Sequence, residues 1–133
     1  MSADVVLSNR EALESLFVLN ADQIDALPWT PVADCPGVTE KVLWHLGDFV
    51  QALIRYQPLA TTPGEAHLAA HHHICVVSGS ATIAGQPLTG GSYVHVPPGV
   101  DHPVTDVGAA GCTLLQMHRP HAPAEAEALA AEA

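Results

Sequence analysis

The chain has 133 residues, with 14 aspartates and glutamates against 4 lysines and arginines, and a formal net charge of -10. This length suits one domain with a modest core, and a charge of this sign repels nucleic acid phosphates and anionic lipid surfaces. We therefore expect no nucleic acid and no membrane as partners. The first residues lack a basic region followed by an apolar run, so the sequence predicts a cytoplasmic protein.

Residues 1–28 are predicted to form an N-terminal extension that contains a short helix. Ser8 and Glu11 have the spacing of a capping box, in which two side chains satisfy free backbone N–H groups at a helix start. Leu13 and Leu16 then fall on one helical face. This helix is expected to pack outside the main domain.

Residues 29–120 change to short apolar or alternating runs separated by glycine and proline, a pattern typical of a β-sandwich or barrel. The predicted strands are Lys41–His45, Phe49–Tyr56, His71–Ser78, Ala81–Ala84, Ser92–Val96 and Cys112–Met117. Residues 121–133 are mostly alanine and glutamate and are predicted to be a tail.

Histidine is over-represented, with nine in this short chain, and most lie between His67 and His121. Such a concentration of histidines indicates that some of them have a chemical role. The three cysteines are widely spaced and form no Cys-x-x-Cys pair, so neither a disulfide framework nor a thiolate zinc site is predicted.

Two segments carry candidate metal ligands. In an extended segment Glu65 and His67 share one face, and strand parity counted back from Gly79 favours His72 as the inward residue of the following strand. The second segment supplies His102 directly after a tight turn. One carboxylate and three imidazoles suit a single divalent transition metal: iron(II), zinc, manganese, nickel or copper.

Other assignments are compatible with the same pattern. His71 and His73 are expected to point outward, to solvent or to a dimer interface, although either can replace His72 as ligand if the register differs. Glu65 can also stay unbound, and a barrel that has lost its metal is the simplest alternative. The remaining histidines are expected to be surface or core residues, with the face of His95 left open: His45, His95, His118 and His121. The apolar walls of a cavity are expected from Val76, Leu53 and Leu115.

Gly91, Pro97, Gly99 and His102 match in full the second motif of the cupin superfamily, and the chain resembles that superfamily over about residues 29–117. The resemblance implies an all-β fold, the double-stranded β-helix or jelly-roll barrel. It also implies a homodimer.

The first cupin motif, His-x-His followed by a glutamate, fits with two exchanges. Glu65 stands at the position of the first histidine, His67 matches the second, and His72 stands at the position of the glutamate. Both exchanged positions still carry good metal donors.

The lead-in over residues 27–44 is similar to two cupin groups, the diketone and hydroxyacetophenone dioxygenases and the sensing domain of zinc anti-sigma factors. The His-x-x-x-Cys-x-x-Cys motif of the anti-sigma proteins is absent from this sequence. The resemblance therefore implies a metal-dependent enzyme, close to the iron(II) dioxygenases, with a small enolisable carbonyl compound as substrate. Two alternatives stay open: a polyketide cyclase or isomerase, and a non-enzymatic ligand-binding or sensing cupin.

Overall fold

The computed structural model describes residues 15–62 and 70–120, whose regular structure is mostly antiparallel β-strand around a small core. The elements are helix α1 (Ala21–Ala26) and strands β1 (Thr30–Pro31), β2 (Val38–Leu46), β3 (Phe49–Tyr56), β4 (Ala70–Ile83), β5 (Gln86–Thr89), β6 (Tyr93–Val96), β7 (Val104–Thr105) and β8 (Cys112–Pro120). All seven strand pairings are antiparallel. The all-β prediction is confirmed.

The predicted strands are recovered, with one change of connection. The segments His71–Ser78 and Ala81–Ala84 belong to one long strand, β4, although the turn signal at Ser78 and Gly79 predicts a break. The helix predicted from Ser8 lies outside the described residues. Helix α1 is a separate helix that begins after Asn20, whose side chain forms a capping box with Gln23.

Strand β4 connects the two parts of the sheet. Its first half pairs with β8 and β6, and its second half pairs with β5 and β7. The change occurs at Gly79, where φ is +78° and an added Cβ would lie 1.9 Å from the Gly111 carbonyl oxygen. The strand continues past Gly79 because glycine alone fits this conformation and this close approach.

Alternation along the strands defines the core. In β4 the residues Ala70, His72, Ile74 and Val76 are all buried, while Cys75 between them is exposed. The most deeply buried side chains are Ile74, Ile83 and Leu114. This core lies between the inner faces of the strands, so the even-numbered residues of this part of β4 point inward.

Lys41 joins helix α1 to the sheet. Its side chain is only 6% exposed, its Nζ donates to the Ile24 carbonyl oxygen at 2.8 Å, and it lies 4.7 Å from the centre of the Trp29 ring. Arg55 contacts the same ring at 4.2 Å. The charged end is therefore satisfied by a carbonyl near the helix C-terminus and by an aromatic face. Within the two described ranges no helix is long and apolar enough to span a membrane.

Candidate metal site

The turn after β6 presents His102. The Val100 N–H donates to the Pro97 carbonyl oxygen at 3.4 Å, which closes the turn, and His102 Nδ1 lies 3.2 Å from the Val100 carbonyl oxygen. A carbonyl oxygen only accepts, so Nδ1 of His102 carries a proton and donates it. In the neutral ring the lone pair is then on Nε2, which is the tautomer of an Nε2-bound metal ligand.

His72 lies beside His102 on the inner face of β4. Its side chain is 3% exposed, and its backbone pairs with Val96 of β6 and His118 of β8. The His72 and His102 rings have centres 4.6 Å apart and planes 48° apart. Two of the four predicted ligands are therefore brought together.

The spacing of this pair fits one shared metal ion. Metal–nitrogen bonds of about 2.0–2.1 Å place the centres of two imidazoles at neighbouring coordination positions about 4.5–5.3 Å apart. The observed separation of 4.6 Å is inside that range. With the tautomer of His102 fixed by a carbonyl, the described residues fit a transition metal bound through imidazole nitrogen.

The other two predicted ligands, Glu65 and His67, lie outside the described residues. Across 15–62 and 70–120 alone, no group of three or more histidine, cysteine, aspartate or glutamate side chains forms a complete metal site. A site at His72 and His102 therefore depends on further donors, and Glu65 and His67 are the candidates that the sequence offers. Metal binding by the four residues stays a prediction.

A third histidine, His118, lies next to the pair, although the sequence analysis treats it as a surface or core residue. Its ring centre is 4.9 Å from that of His72, and its Nδ1 lies 2.7 Å from the Asp48 carbonyl oxygen. Nδ1 is again the donor, so Nε2 of the neutral ring is the acceptor. Alternation from the buried Leu114 through Gln116 places His118 on the inner face, and this signal in the sequence could have identified it.

His71, His73 and His95 lie on the opposite, outer face of the sheet. His71 Nδ1 and His95 Nε2 are 2.8 Å apart, so one of these nitrogens donates to the other. His73 Nδ1 is hydrogen-bonded to the Tyr93 hydroxyl at 2.5 Å. His71 and His73 lie on the outer face as expected, although His71 is buried there. His95, whose face the sequence leaves open, lies on the same side.

Burial lowers the pKa of His73 and of His95, and their positively charged neighbours lower it further. For His73 these neighbours are His95, Arg119 and His71; for His95 they are His71 and Arg119. For both rings the charged form is therefore disfavoured relative to an exposed imidazole.

The prediction of the residues that form the apolar cavity walls is only partly correct. Val76 is 2% exposed and belongs to the core. Leu53 and Leu115 pair with each other across β3 and β8 but lie on the outer face, since their neighbours Ile54 and Leu114 point into the core. The prediction for Leu53 and Leu115 is wrong because apolar residues occupy both faces of these two strands.

The core also contains two titratable side chains, Cys112 and Tyr56, that are not suited to act as nucleophiles. Burial raises the pKa of the Cys112 thiol and of the Tyr56 hydroxyl above their ordinary values. Both groups are therefore protonated at neutral pH and act as core side chains.

A family model described as the ChrR cupin-like domain matches residues 20–122 of this chain. The match covers the whole described sheet and both histidines of the inner pair. No curated protein sequence matches the chain.

Solved structures of several cupins have the same fold. A predicted oxalate decarboxylase from Thermotoga maritima is 13% identical, with a TM-score of 0.66, and the match covers 73% of this chain and 96% of that one. The polyketide cyclase RemF from Streptomyces resistomycificus is 19% identical, with a TM-score of 0.64 and coverage of 77% and 80%. A cupin-superfamily sugar phosphate isomerase from Silicibacter pomeroyi is 18% identical, with a TM-score of 0.61 and coverage of 71% and 72%. At these identities the likeness shows a shared fold alone.

Proposed function

Because the chain belongs to the ChrR cupin-like family, we propose that it is a metal-dependent enzyme that acts on a small enolisable carbonyl compound. In this proposal Glu65, His67, His72 and His102 hold one divalent metal ion, iron(II) being favoured. The observation that carries it is the His72–His102 pair, with ring centres 4.6 Å apart and His102 Nδ1 bound to a carbonyl. The free thiols of Cys35, Cys75 and Cys112 agree with a reducing cytoplasm.

A bound divalent ion supplies Lewis acidity toward a carbonyl or enolate oxygen and, in the case of iron(II), reactivity with dioxygen. The protein supplies the surroundings. His72 and His102 are oriented by a strand ladder and by a turn carbonyl, so their nitrogens are held in place before a substrate arrives. Buried Ile74, Val76 and Val96 exclude water from that side and strengthen every polar contact there.

His118 favours the cyclase or isomerase alternative. It lies beside His72, its Nδ1–H is fixed on the Asp48 carbonyl oxygen, and its neutral Nε2 is an acceptor. Such a group can take a proton from the carbon next to a carbonyl and return it elsewhere, which is the proton movement that isomerisation and cyclisation require.

The metal site is tested by elemental analysis of protein produced without a histidine tag. We expect about one transition metal ion per chain, and loss of most of it in the variants Glu65→Ala and His102→Ala. His45→Ala is the matched control, because His45 is exposed on β2 and its removal leaves the inner pair intact. Unchanged metal content in both site variants would contradict the proposal.

The reaction class is tested with β-diketones and hydroxyaryl ketones. Oxygen consumption by the iron-loaded protein supports the dioxygenase. Exchange of the substrate's α-hydrogens with deuterated water without oxygen consumption, abolished in His118→Gln, supports the cyclase or isomerase. Binding of these compounds without either reaction identifies a ligand-binding or sensing protein and refutes the enzyme proposal.

A further inference from the structure

A groove of about 270 Å³ lies on the outer face of the sheet, and its lining includes Cys75, Met117 and His73. We call it the outer groove. His73 of β4 lies directly opposite Met117 of β8, and Cys75 follows His73 by two residues on the same face of β4. Side chains that are opposite each other, or two residues apart on one face, are close enough to bind the same small ligand. One imidazole, one thiol and one thioether therefore border the outer groove together.

His73 has one ring nitrogen whose hydrogen bonding is incomplete. Its Nδ1 is hydrogen-bonded to the hydroxyl of Tyr93, which also lines the outer groove. Its Nε2 is buried and has no hydrogen-bond partner among residues 15–62 and 70–120. Burying a polar atom without a partner is costly, and a bound ion is one of the arrangements that removes this cost.

The hydrogen bond to Tyr93 determines which nitrogen of His73 can bind an ion. When Nδ1–H donates to the Tyr93 oxygen, the lone pair of the neutral ring is on Nε2. Metal-bound histidines usually have this arrangement, in which the second nitrogen donates to an oxygen atom and holds the ring in place. Tyr93 then acts as a positioning residue for the Nε2 atom of His73.

The chemistry of these donors selects a soft ion. Thiolate and thioether sulfur favour copper(I), whereas magnesium, calcium and manganese favour oxygen ligands. Strands β3, β4, β6 and β8 contain no aspartate or glutamate. In the described part of the chain, no three histidine, cysteine or carboxylate side chains are grouped so that they could hold an ion. A thioether as the third donor therefore points to copper(I) rather than zinc.

The charge of the surroundings favours a monovalent ion. Arg119 lies on the same face of β8, two residues after Met117 and opposite His71. A copper(I) ion bound to one thiolate has no net charge, whereas a divalent ion would leave a positive charge near Arg119. The outer groove is therefore better suited to a monovalent than to a divalent cation.

We propose that Cys75, Met117 and His73 form a second metal site, which binds one copper(I) ion through two sulfur atoms and one nitrogen. On binding, the Cys75 thiol releases its proton to solvent and coordinates as the thiolate, and the oxidation state of copper does not change. The inference does not rest on the proposed function, because His72 and His102 lie on the opposite face of the sheet and supply nitrogen donors only.

Copper(I) binding is measured without oxygen, in the presence of ascorbate, by competition with a coloured copper(I) chelator. The full chain is first incubated with zinc so that the inner site is filled. We expect one copper(I) ion per chain, with two sulfur neighbours in X-ray absorption spectra. Cys75→Ser and Met117→Leu should each weaken binding about a hundredfold and remove one sulfur neighbour. Cys75 is exposed and leucine matches methionine in volume, so both variants should fold.

Two control variants remove the same kinds of donor elsewhere. Cys35→Ser removes a thiol that lines a different groove, and His45→Ala removes an exposed imidazole on β2, so both should bind copper(I) as the wild type does. Tyr93→Phe should weaken binding about tenfold and keep both sulfur neighbours, as expected of a positioning residue.

Zinc retained by the inner site should be equal in the wild type and in Cys75→Ser, which separates this inference from the proposed function. A wild type that binds copper(I) no more tightly than Cys75→Ser, or that shows fewer than two sulfur neighbours, would overturn the copper(I) site.

Discussion

Replacing Gly79 with alanine should destabilise the fold far more than the same change at Gly85. Both glycines have φ of +78°, so alanine pays the same penalty for left-handed backbone at each site, about 1–2 kcal/mol. An added Cβ at Gly85 meets nothing within 4 Å. At Gly79 it lies 1.9 Å from the Gly111 carbonyl oxygen, so that carbonyl must move by about 1 Å.

Moving the Gly111 carbonyl lowers the free energy of unfolding in two ways. The Gly111 carbonyl oxygen accepts a hydrogen bond from the Ser80 N–H at 3.2 Å, and losing it costs about 1 kcal/mol. Local overpacking adds about 1–3 kcal/mol. We therefore expect Gly79→Ala to lose about 3–6 kcal/mol and Gly85→Ala about 1–2 kcal/mol, out of a total stability of about 5–15 kcal/mol.

Urea unfolding of both variants, followed by far-ultraviolet circular dichroism, measures the two free energies. The dependence on urea should be the same in both, since the surface exposed on unfolding does not change. Equal losses, within about 0.5 kcal/mol, would show that the close approach to Gly111 contributes nothing and would refute the explanation of how β4 continues through this point.

Three further outcomes follow from the described contacts. Ala84→Asn should raise the free energy of unfolding by about 0.5 kcal/mol, measured by urea titration, because Ala84 has φ of +50° in the hairpin turn between β4 and β5 and asparagine tolerates that region better. Lys41→Met should cost about 1–3 kcal/mol and speed amide exchange in α1, because it removes the hydrogen bond to the Ile24 carbonyl and the contact with the Trp29 ring. The free energy of unfolding should fall as pH rises above about 9. Cys112 and Tyr56 keep their protons in the folded state, whereas in the unfolded state they lose them near their ordinary pKa values of 9.0 and 10.0. Denaturation measured as a function of pH should show a smaller fall for Tyr56→Phe than for the wild type.

The sequence predicted the sheet well because its signals are local. The strand at Phe49–Tyr56 begins and ends as predicted, since a short alternating run between turn residues is sufficient to identify it. The continuity of β4 through Gly79 could not be predicted. A glycine after serine normally marks a turn, and here it marks a close approach to Gly111, a residue more than 30 positions away.

The candidate site was predicted through register and motif spacing, which place His72 and His102 side by side. His118 was missed because its strand was predicted to stop at Met117, whereas β8 extends to Pro120 and pairs His118 with His72. Leu53 and Leu115 were assigned to the wrong face because apolar residues normally identify the core side of a strand, and the outer face breaks that rule.

Strand β4 participates in four of the seven pairings among the described strands, and it carries His72. A strand paired along both edges cannot release its amides by local fraying, so its backbone N–H groups can reach solvent only when most of the sheet opens. We therefore expect the backbone amides around His72, one of the proposed metal ligands, to exchange hydrogen slowly. If the proposed function is correct, the motion that admits a substrate is expected in the turns around this strand rather than in the strand itself.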